Sequence, residues 1–373
     1  MSKKIVSTSD IHLGHGRVPV EHMLRNLKAY IFPELKDADL FVIAGDFWHA
    51  LQKLDDISSQ LIISFICDLI HLSELYHFKI RILRGTYTHD RDQCVLFETL
   101  VYNHNVDLKY VTEMQLEYIE DFDLKLLYIP DNLPYKDSDE CLFEIKQMLN
   151  KVQWKQVDFV IGHGYFRHVL PPGIPKEPHC TFRAEQFKNI VKHYVLMGHV
   201  HTPSKHKNVY YHGSFDRTAH GEEEAKGFLR LIKNDKYWNV EFVENEDAMK
   251  FITVSPVGET IDELTSSMVK LIEKKFGNSP NGFLRISHHS TETRQLLIHQ
   301  ARLIFNNDLV VSGIAPKSDT TVKSMIKNYI PQVHEQIVPT MENLPELIFN
   351  HIQNHKGQCT LSIVDIKEYI VQF

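Results

Sequence analysis

Along the N-terminal two-thirds of the chain, short apolar runs rich in β-branched residues alternate with longer stretches whose apolar residues recur at helical spacing. Runs at Lys4–Ser9, Leu40–Ala44, Lys79–Leu83, Leu124–Ile129, Phe159–Gly162, Tyr194–Gly198, Val209–His212, Gly227–Lys233 and Tyr237–Val243 predict strands. Stretches at Val20–Ile31, Ser58–Leu75 and Cys141–Leu149 predict helices. Several of the strands, such as LFVIAG from Leu40 and FVIGHG from Phe159, are apolar on both faces, as expected of strands in a sheet that is covered on both sides. The alternation predicts a layered α/β domain.

Around Ser255–Pro256 the pattern changes. A strand at Phe251–Val254, a helix at Ile261–Phe276, a strand at Gly282–Ser287, a helix at Thr291–Phe305 and a strand at Leu309–Gly313 predict a small βαβαβ-like module. The polar segment Ala315–Thr340, with Pro316, Pro331 and Pro339, predicts a linker, and Leu344–Gln353 and Ser362–Val371 are short amphipathic stretches. The expected organisation is a main α/β domain over residues 1–250, a small α/β cap over 251–316, and a linker with C-terminal helices over 317–373. No internal repeat or low-complexity tract is visible.

Composition narrows the class. Hydrophobic residues are 43% and charged residues 24% of 373, ordinary for a folded protein. No uninterrupted apolar run reaches the ~18 residues that span a bilayer. The opening MSKKIVSTSDIHLG lacks a signal-peptide core, so a cytoplasmic location without membrane attachment is expected. Cysteines 67, 94, 141, 180 and 359 form no CxxC knuckle and are odd in number, which points to reduced thiols. The net charge of −7 gives no global basic excess to attract DNA. Either the substrate is not a long polyanion, or bound metals and a partner supply positive charge. The chain also carries 23 histidines, many of them in the motifs that follow.

Five polar motifs each follow a predicted strand: Asp10-Ile-His12, Gly45-Asp46-Phe-Trp-His49, Gly85-Thr-Tyr-Thr-His89-Asp90, Gly162-His163-Gly164 and Gly198-His199-Val-His201. Loops beyond the carboxyl ends of strands in an α/β sheet converge on one edge, where ligands bind. A lone Asp-x-His is commonly a capped turn, but five such motifs in this order point to a shared metal site. Asp and His mixtures suit Mn²⁺, Fe²⁺ or Zn²⁺. The motifs offer more ligands than one ion needs, so two ions with a bridging carboxylate are expected, an arrangement suited to phosphate-ester hydrolysis.

The motif series resembles the calcineurin-like metallophosphoesterase superfamily, whose pattern is DxH, GDxx(D/H), GNH(D/E), GH and GHxH. The segment DIHLG at 10–14, His at 49, and NVYYHGSFDRT…KGFLRL at 208–232 are similar to the SbcD-type nucleases of DNA-break processing. By motif the resemblance covers about residues 1–245. It implies an α/β/β/α metallophosphoesterase sandwich, a small α/β cap and a helical C-terminal tail. It implies that Asp10, His12, Asp46 and His201 hold one ion, and that Asp46, His163 and His199 hold a second, most simply both Mn²⁺. His89 is implied as the acid–base residue, oriented by Asp90, with His49 contacting the phosphate. It further implies DNA as substrate, an SbcC-type coiled-coil ATPase docking on the tail, and a homodimer formed through Val20–Ile31 and Ser58–Leu75.

One departure stands out. The family's GNHD supplies an Asn ligand, but this chain reads GTYTHD. Thr88 takes the Asn place if the match is anchored on His89, and Thr86 if it is anchored on Gly85. A hydroxyl is a weaker ligand than an amide carbonyl, which leaves the second site looser. Beside this loop, Arg84 is a candidate phosphate contact and Tyr87 a candidate stacking residue, against the plainer readings of a solvated strand face and a packed loop aromatic. His15 is expected at the surface, and His212 is flagged for its position after the GHxH loop. Three activities compete: a DNA exo/endonuclease, a general phosphomonoesterase or phosphodiesterase, and a non-catalytic scaffold for DNA ends.

Overall fold

The computed structural model describes residues 3–316, apart from 54, 172, 175–177, 179, 236, 278–281 and 306–308. The tail expected over 317–373 lies outside the described residues. The chain opens with β1 (Lys4–Thr8), α1 (Val20–Leu35), β2 (Leu40–Ala44), α2 (Ile57–Tyr76) and β3 (Lys79–Leu83). The short helices α3 (Tyr87–Asp90) and α4 (Val95–Leu100) lead to β4 (Leu108–Val111), β5 (Gln115–Ile119), β6 (Leu124–Ile129) and α5 (Ser138–Lys151). Next come β7 (Val157–His163), β8 (Val191–Gly198), β9 (Ser204–His206), β10 (Val209–Tyr211), β11 (Gly227–Asn234) and β12 (Tyr237–Glu244). A third segment holds β13 (Phe251–Val254), α6 (Ile261–Phe276), β14 (Gly282–Ser287), α7 (Thr291–Ile304) and β15 (Leu309–Ile314).

These strands make two six-stranded sheets, ordered β12-β11-β1-β2-β3-β4 and β5-β6-β7-β8-β10-β9, and one three-stranded sheet, β13-β14-β15. β1 to β4 run parallel, as do β6, β7, β8 and β10. The layering follows from the period-two alternation of strand side chains. In β2, Leu40, Val42 and Ala44 face the second sheet, while Phe41 and Ile43 lie in the cluster under α1 and α2. The second sheet does the same, with Leu127, Val157 and Val160 meeting Leu142, Ile145 and Leu149 of α5. Both sheets are thus covered on both faces, giving an α/β/β/α sandwich. Each large apolar side chain buried this way contributes roughly 1.5–3 kcal/mol.

Three strands, β4, β5 and β9, went unpredicted. All three sit at sheet edges, where one flank meets solvent and the apolar signal is diluted, as in QLEYI and SKH. The helices α3 and α4 are too short to show a period. α2 is the one described helix long and apolar enough, by length and composition, to cross a bilayer, with a mean hydropathy of 1.2. It buries Ile62, Phe65, Ile66, Leu69 and Ile70 in the protein's own core. The βαβαβ module has a small core of its own, with Val254, Leu264, Met268, Ile272, Leu284 and Leu297. Met249 and Phe251 join the core beneath α1 and α2, and the Phe283 ring stacks on Phe251 at 4.4 Å.

Two buried polar ties cross the sandwich. Arg81 of β3 donates to both oxygens of Glu117 on β5, at 2.8 and 2.9 Å, and Tyr128 of β6 donates to the same carboxylate at 2.6 Å. His212, after β10, shares a hydrogen bond with the Ser7 hydroxyl of β1 at 2.7 Å, and its Nδ1–H donates to the Met197 carbonyl at 2.7 Å. His212 is therefore a satisfied core residue, and burial pushes its pKa down to about 4.

Both ties generate predictions. Glu117→Ala leaves the Arg81 charge buried without its main partner, and should cost about 3–5 kcal/mol in denaturant unfolding. The double variant Arg81→Met/Glu117→Leu should recover most of that loss, and a Glu117→Ala variant as stable as wild type would contradict the role given to the pair. For His212 the folded pKa lies below the unfolded value of about 6.5, so the unfolded chain takes up a proton first as pH falls. Stability present above pH ~6.5 is therefore lost between ~6.5 and ~4. From pH 7 to 5 this group alone should remove about 2 kcal/mol. His212→Asn should start less stable at pH 7 and show a correspondingly shallower decline, measured as urea midpoints; parallel declines would contradict the assignment.

Candidate metal centre

β1, β2 and β3 of one sheet and β7 and β8 of the other end at the same edge of the sandwich. Asp10 and His12 follow β1, Asp46 follows β2, Thr86 follows β3, His163 ends β7, and His199 and His201 follow β8. The first two loops continue side by side: Asp10 N–H donates to the Gly45 carbonyl, His12 N–H to Asp46 and Leu13 N–H to Phe47, at 2.9–3.0 Å. The turns are conformationally costly. Asp10 (φ 50°), His12 (53°), Asp46 (53°) and His199 (87°) all lie in the left-handed region, at about 1–3 kcal/mol each for a non-glycine residue. Two glycines allow the strands to close in. A Cβ at Gly85 would stand 2.2 Å from the Asp46 nitrogen, and one at Gly198 would stand 2.3 Å from the Ala44 carbonyl.

The side chains form two clusters, Asp10–His12–His201 and Asp46–His163–His199, in each of which one ligand atom per residue lies within 4.8 Å of the others. Asp46 Oδ2 joins them: it is 3.4 Å from His163 Nε2 and 3.9 Å from His12 Nε2. His12 Nε2 faces His201 Nε2 at 3.0 Å, and His163 Nε2 faces His199 Nδ1 at 3.2 Å. Imidazole nitrogens converging on one another and on carboxylates are suited to sharing a cation. His199 turns Nδ1 into the cluster, and its other ring nitrogen, the buried Nε2, has no partner among the described residues.

Electrostatics points the same way. Burial opposes charge on His163, yet the Asp46 carboxylate, helped by Asp10 and Asp131, lifts its pKa to about 10. Burial also opposes ionisation of Asp46, but His163 and His12 hold its pKa far below the usual range. Burial, reinforced by neighbouring imidazoles, keeps His12 neutral and pushes His199 down to about 3. The centre calls for positive charge, which the donor set would accept from divalent ions as readily as from protons. Asp, His and a hydroxyl fit such ions.

A third group sits beside the first cluster. The His89 and His49 rings lie 4.7 and 5.5 Å from His12. His89 Nδ1–H donates to the His49 carbonyl at 2.5 Å. Burial, then His15 and His89, push the His49 pKa down to about 4. His15, expected at the surface, is half-buried with its ring 4.4 Å from His49.

Two of the expected roles need correction. Thr88 is exposed on α3, because the loop turns into a helix directly after Thr86. The hydroxyl at this centre is that of Thr86, 3.3 Å from Asp46 Oδ2, 3.4 Å from His163 Nε2 and 3.3 Å from His199 Nδ1. Asp90 was expected to orient His89, but that ring is held by the His49 carbonyl. The fully buried Asp90 carboxylate accepts from the backbone of Asp46 (3.2 Å), Trp48 (3.1 Å) and Gly85 (2.8 Å), so it pins the metal-site turns. Burial, with Asp46 adding to it, raises its pKa to about 7.

Tyr87 is exposed, with the Arg91 guanidinium 5.9 Å from its ring centre. Arg84 is half-buried, and its Nε lacks a partner among the described residues. Sequence reasoning missed Glu222, which meets His201 Nδ1 at 3.0 Å, and Tyr165, whose ring lies 4.3 Å from that of His199. Tyr165 follows directly on Gly164, a nearness in sequence that could have suggested it. Glu222 sits in a run of three acids that looks like a solvated loop.

No family model matches the chain. It is 24% identical over 200 residues to a protein of Invertebrate iridescent virus 6 named "Putative phosphoesterase 244L", a match spanning 53% of this chain and 66%, just under two thirds, of that protein. Two solved structures overlay 65% of the chain: one at 13% identity and a TM-score of 0.37 across all of its own length, the other TT1561 of Thermus thermophilus at 11% identity and 0.38 across 99% of its length. The chain has a layered α/β fold, with Asp and His side chains gathered where parallel strands of both sheets end.

Proposed function

We propose that this chain is a metal-dependent phosphoesterase that cleaves phosphodiester bonds at DNA ends, with two divalent ions, most simply Mn²⁺, as its cofactor. The observation that carries the hydrolytic reading is Asp46 Oδ2 standing between His163 and His12, a carboxylate shared by two ligand clusters. Similarity to the viral protein named "Putative phosphoesterase 244L" supports it. The DNA reading is supported by the sequence motifs shared with SbcD-type nucleases.

In this reading Asp10, His12, His201 and Asp46 hold one ion, and Asp46, His163, His199 and the Thr86 hydroxyl hold the other. When bound, the ions supply Lewis-acid polarisation of the phosphoryl group and activation of water. The protein's own groups do the rest. Because a carbonyl can only accept, the His49 oxygen fixes the proton of His89 on Nδ1 and leaves Nε2 free. His89 can therefore pick up a proton on Nε2 and pass it to the leaving oxygen. His49, kept neutral by burial, lines the same face and positions the phosphate. Asp90 holds the Asp46 and Gly85 turns in register. Arg84 and Tyr87 are the flanking candidates for backbone and base contacts. The same reading has the chain act in the cytoplasm as a homodimer through α1 and α2, with a coiled-coil SbcC-type ATPase docking on residues beyond 317.

The test is cleavage of labelled duplex and single-stranded DNA with Mn²⁺, Mg²⁺ or Zn²⁺, with and without such an ATPase. Mn²⁺-dependent cleavage is expected. His89→Gln should lower its rate by about 10²–10⁴-fold while bound metal, measured by elemental analysis, stays at the wild-type level. Rapid turnover of nitrophenyl phosphate with intact DNA would instead assign a small-molecule phosphoesterase. No turnover of either substrate would favour a scaffold.

A further inference from the structure

Behind the first cluster lies a polar clasp that the proposed chemistry does not use directly. Glu222 Oε1 meets His201 Nδ1 at 3.0 Å. Three other contacts hold that carboxylate: Thr218 N–H at 3.0 Å, the Thr218 hydroxyl at 3.2 Å and Lys226 Nζ at 3.4 Å. Lys226 is completely buried and also donates to the His201 carbonyl at 2.8 Å. The loop from Thr218 to Lys226 therefore grips His201 by both its ring and its backbone. In the acid run 222–224, Glu224 is exposed and Glu223 reaches out to Lys275 of α6 at 3.4 Å. Glu222 alone turns inward, with its side chain 17% exposed.

An ionised carboxylate only accepts, so Glu222 places the proton of His201 on Nδ1. The Nε2 lone pair is then free where it faces His12 Nε2 at 3.0 Å and Asp10 Oδ1 at 4.0 Å. A carboxylate behind a ligating imidazole fixes its tautomer and orientation and raises its basicity. The second cluster has no such backing. His163 Nδ1–H donates to the neutral Ala44 carbonyl at 2.8 Å, His199 Nε2 has no partner among the described residues, and Thr86 offers a neutral hydroxyl. A buried ammonium such as Lys226 is costly unless it is paired, and here its partners are the Glu222 carboxylate and the carbonyl of His201 itself.

We propose that Glu222 is a positioning residue for His201, and that through it the Asp10–His12–His201 cluster becomes the tighter of the two cation sites. This rests on the two-ion reading above. The experiment is a calorimetric Mn²⁺ titration of the metal-free full chain, with ¹⁵N NMR of its histidine rings. Wild type should bind two ions in separate steps, with His201 in the Nδ1–H tautomer before metal is added. Glu222→Ala should weaken the tighter step by about 10–100-fold, leave the looser step within about twofold, and lose the fixed tautomer. Glu222→Gln keeps an acceptor without the charge; it should restore the tautomer, recover part of the affinity, and serve as the folded comparison if the alanine variant is unstable. Two ions bound by Glu222→Ala, or by Glu222→Gln where alanine fails to fold, with wild-type affinities and tautomer would overturn the role of Glu222 alone. A wild-type chain that binds no Mn²⁺ overturns the two-ion reading and this inference together.

Discussion

The structure turns on one buried carboxylate. Asp46 has almost no solvent, and a charge in such a place is stable only if opposite charge or strong donors surround it. Its Oδ1 accepts from the Thr86 backbone N–H at 2.6 Å, while Oδ2 is turned toward imidazoles from both sheets. The consequences spread outward. His163 is driven toward its charged form, and a second acid, Asp90, is partly kept from ionising by the first. Protein groups alone offer this centre a crowded sharing of protons. Divalent ions would satisfy it with less conflict, since they accept carboxylate and neutral imidazole together.

The sandwich exists to bring such groups together. Parallel strands from two sheets end at one edge, and the inter-sheet core, closed by Arg81–Glu117 and His212–Ser7, sets how closely those ends approach. The left-handed backbone at Asp10, His12, Asp46 and His199 is the conformational cost of aiming four side chains inward from turns. That cost is sustained because the turns are over-determined: by ladder hydrogen bonds between the β1 and β2 loops, and by Asp90, which ties the β2 and β3 loops with three backbone contacts.

Much of this was legible in the sequence, for a physical reason. A strand that ends in Asp or His, preceded by glycine at Asp46, His163 and His199, is a local signature, and parallel topology makes separate copies of it converge. The alternation of strands and helices foretold the layers, and only short helices and edge strands with polar admixture escaped. The failures occurred where the answer depends on geometry over a few ångströms. Whether Thr86 or Thr88 fills the place of an amide depends on where α3 begins. Whether Asp90 faces an imidazole or a turn depends on which way a buried carboxylate rotates. Glu222 lies 21 residues beyond its partner, in a run of acids where nothing marks the one that turns inward.

The central claim is that Asp46 bridges two cations. Anomalous diffraction from crystals of the full chain equilibrated with Mn²⁺ tests it most directly. The account predicts two peaks about 3.5–4 Å apart, one among Asp10, His12 and His201, the other among His163, His199 and Thr86, with Asp46 touching both. Density for manganese elsewhere in the molecule, or none at this edge at saturating metal, would contradict it.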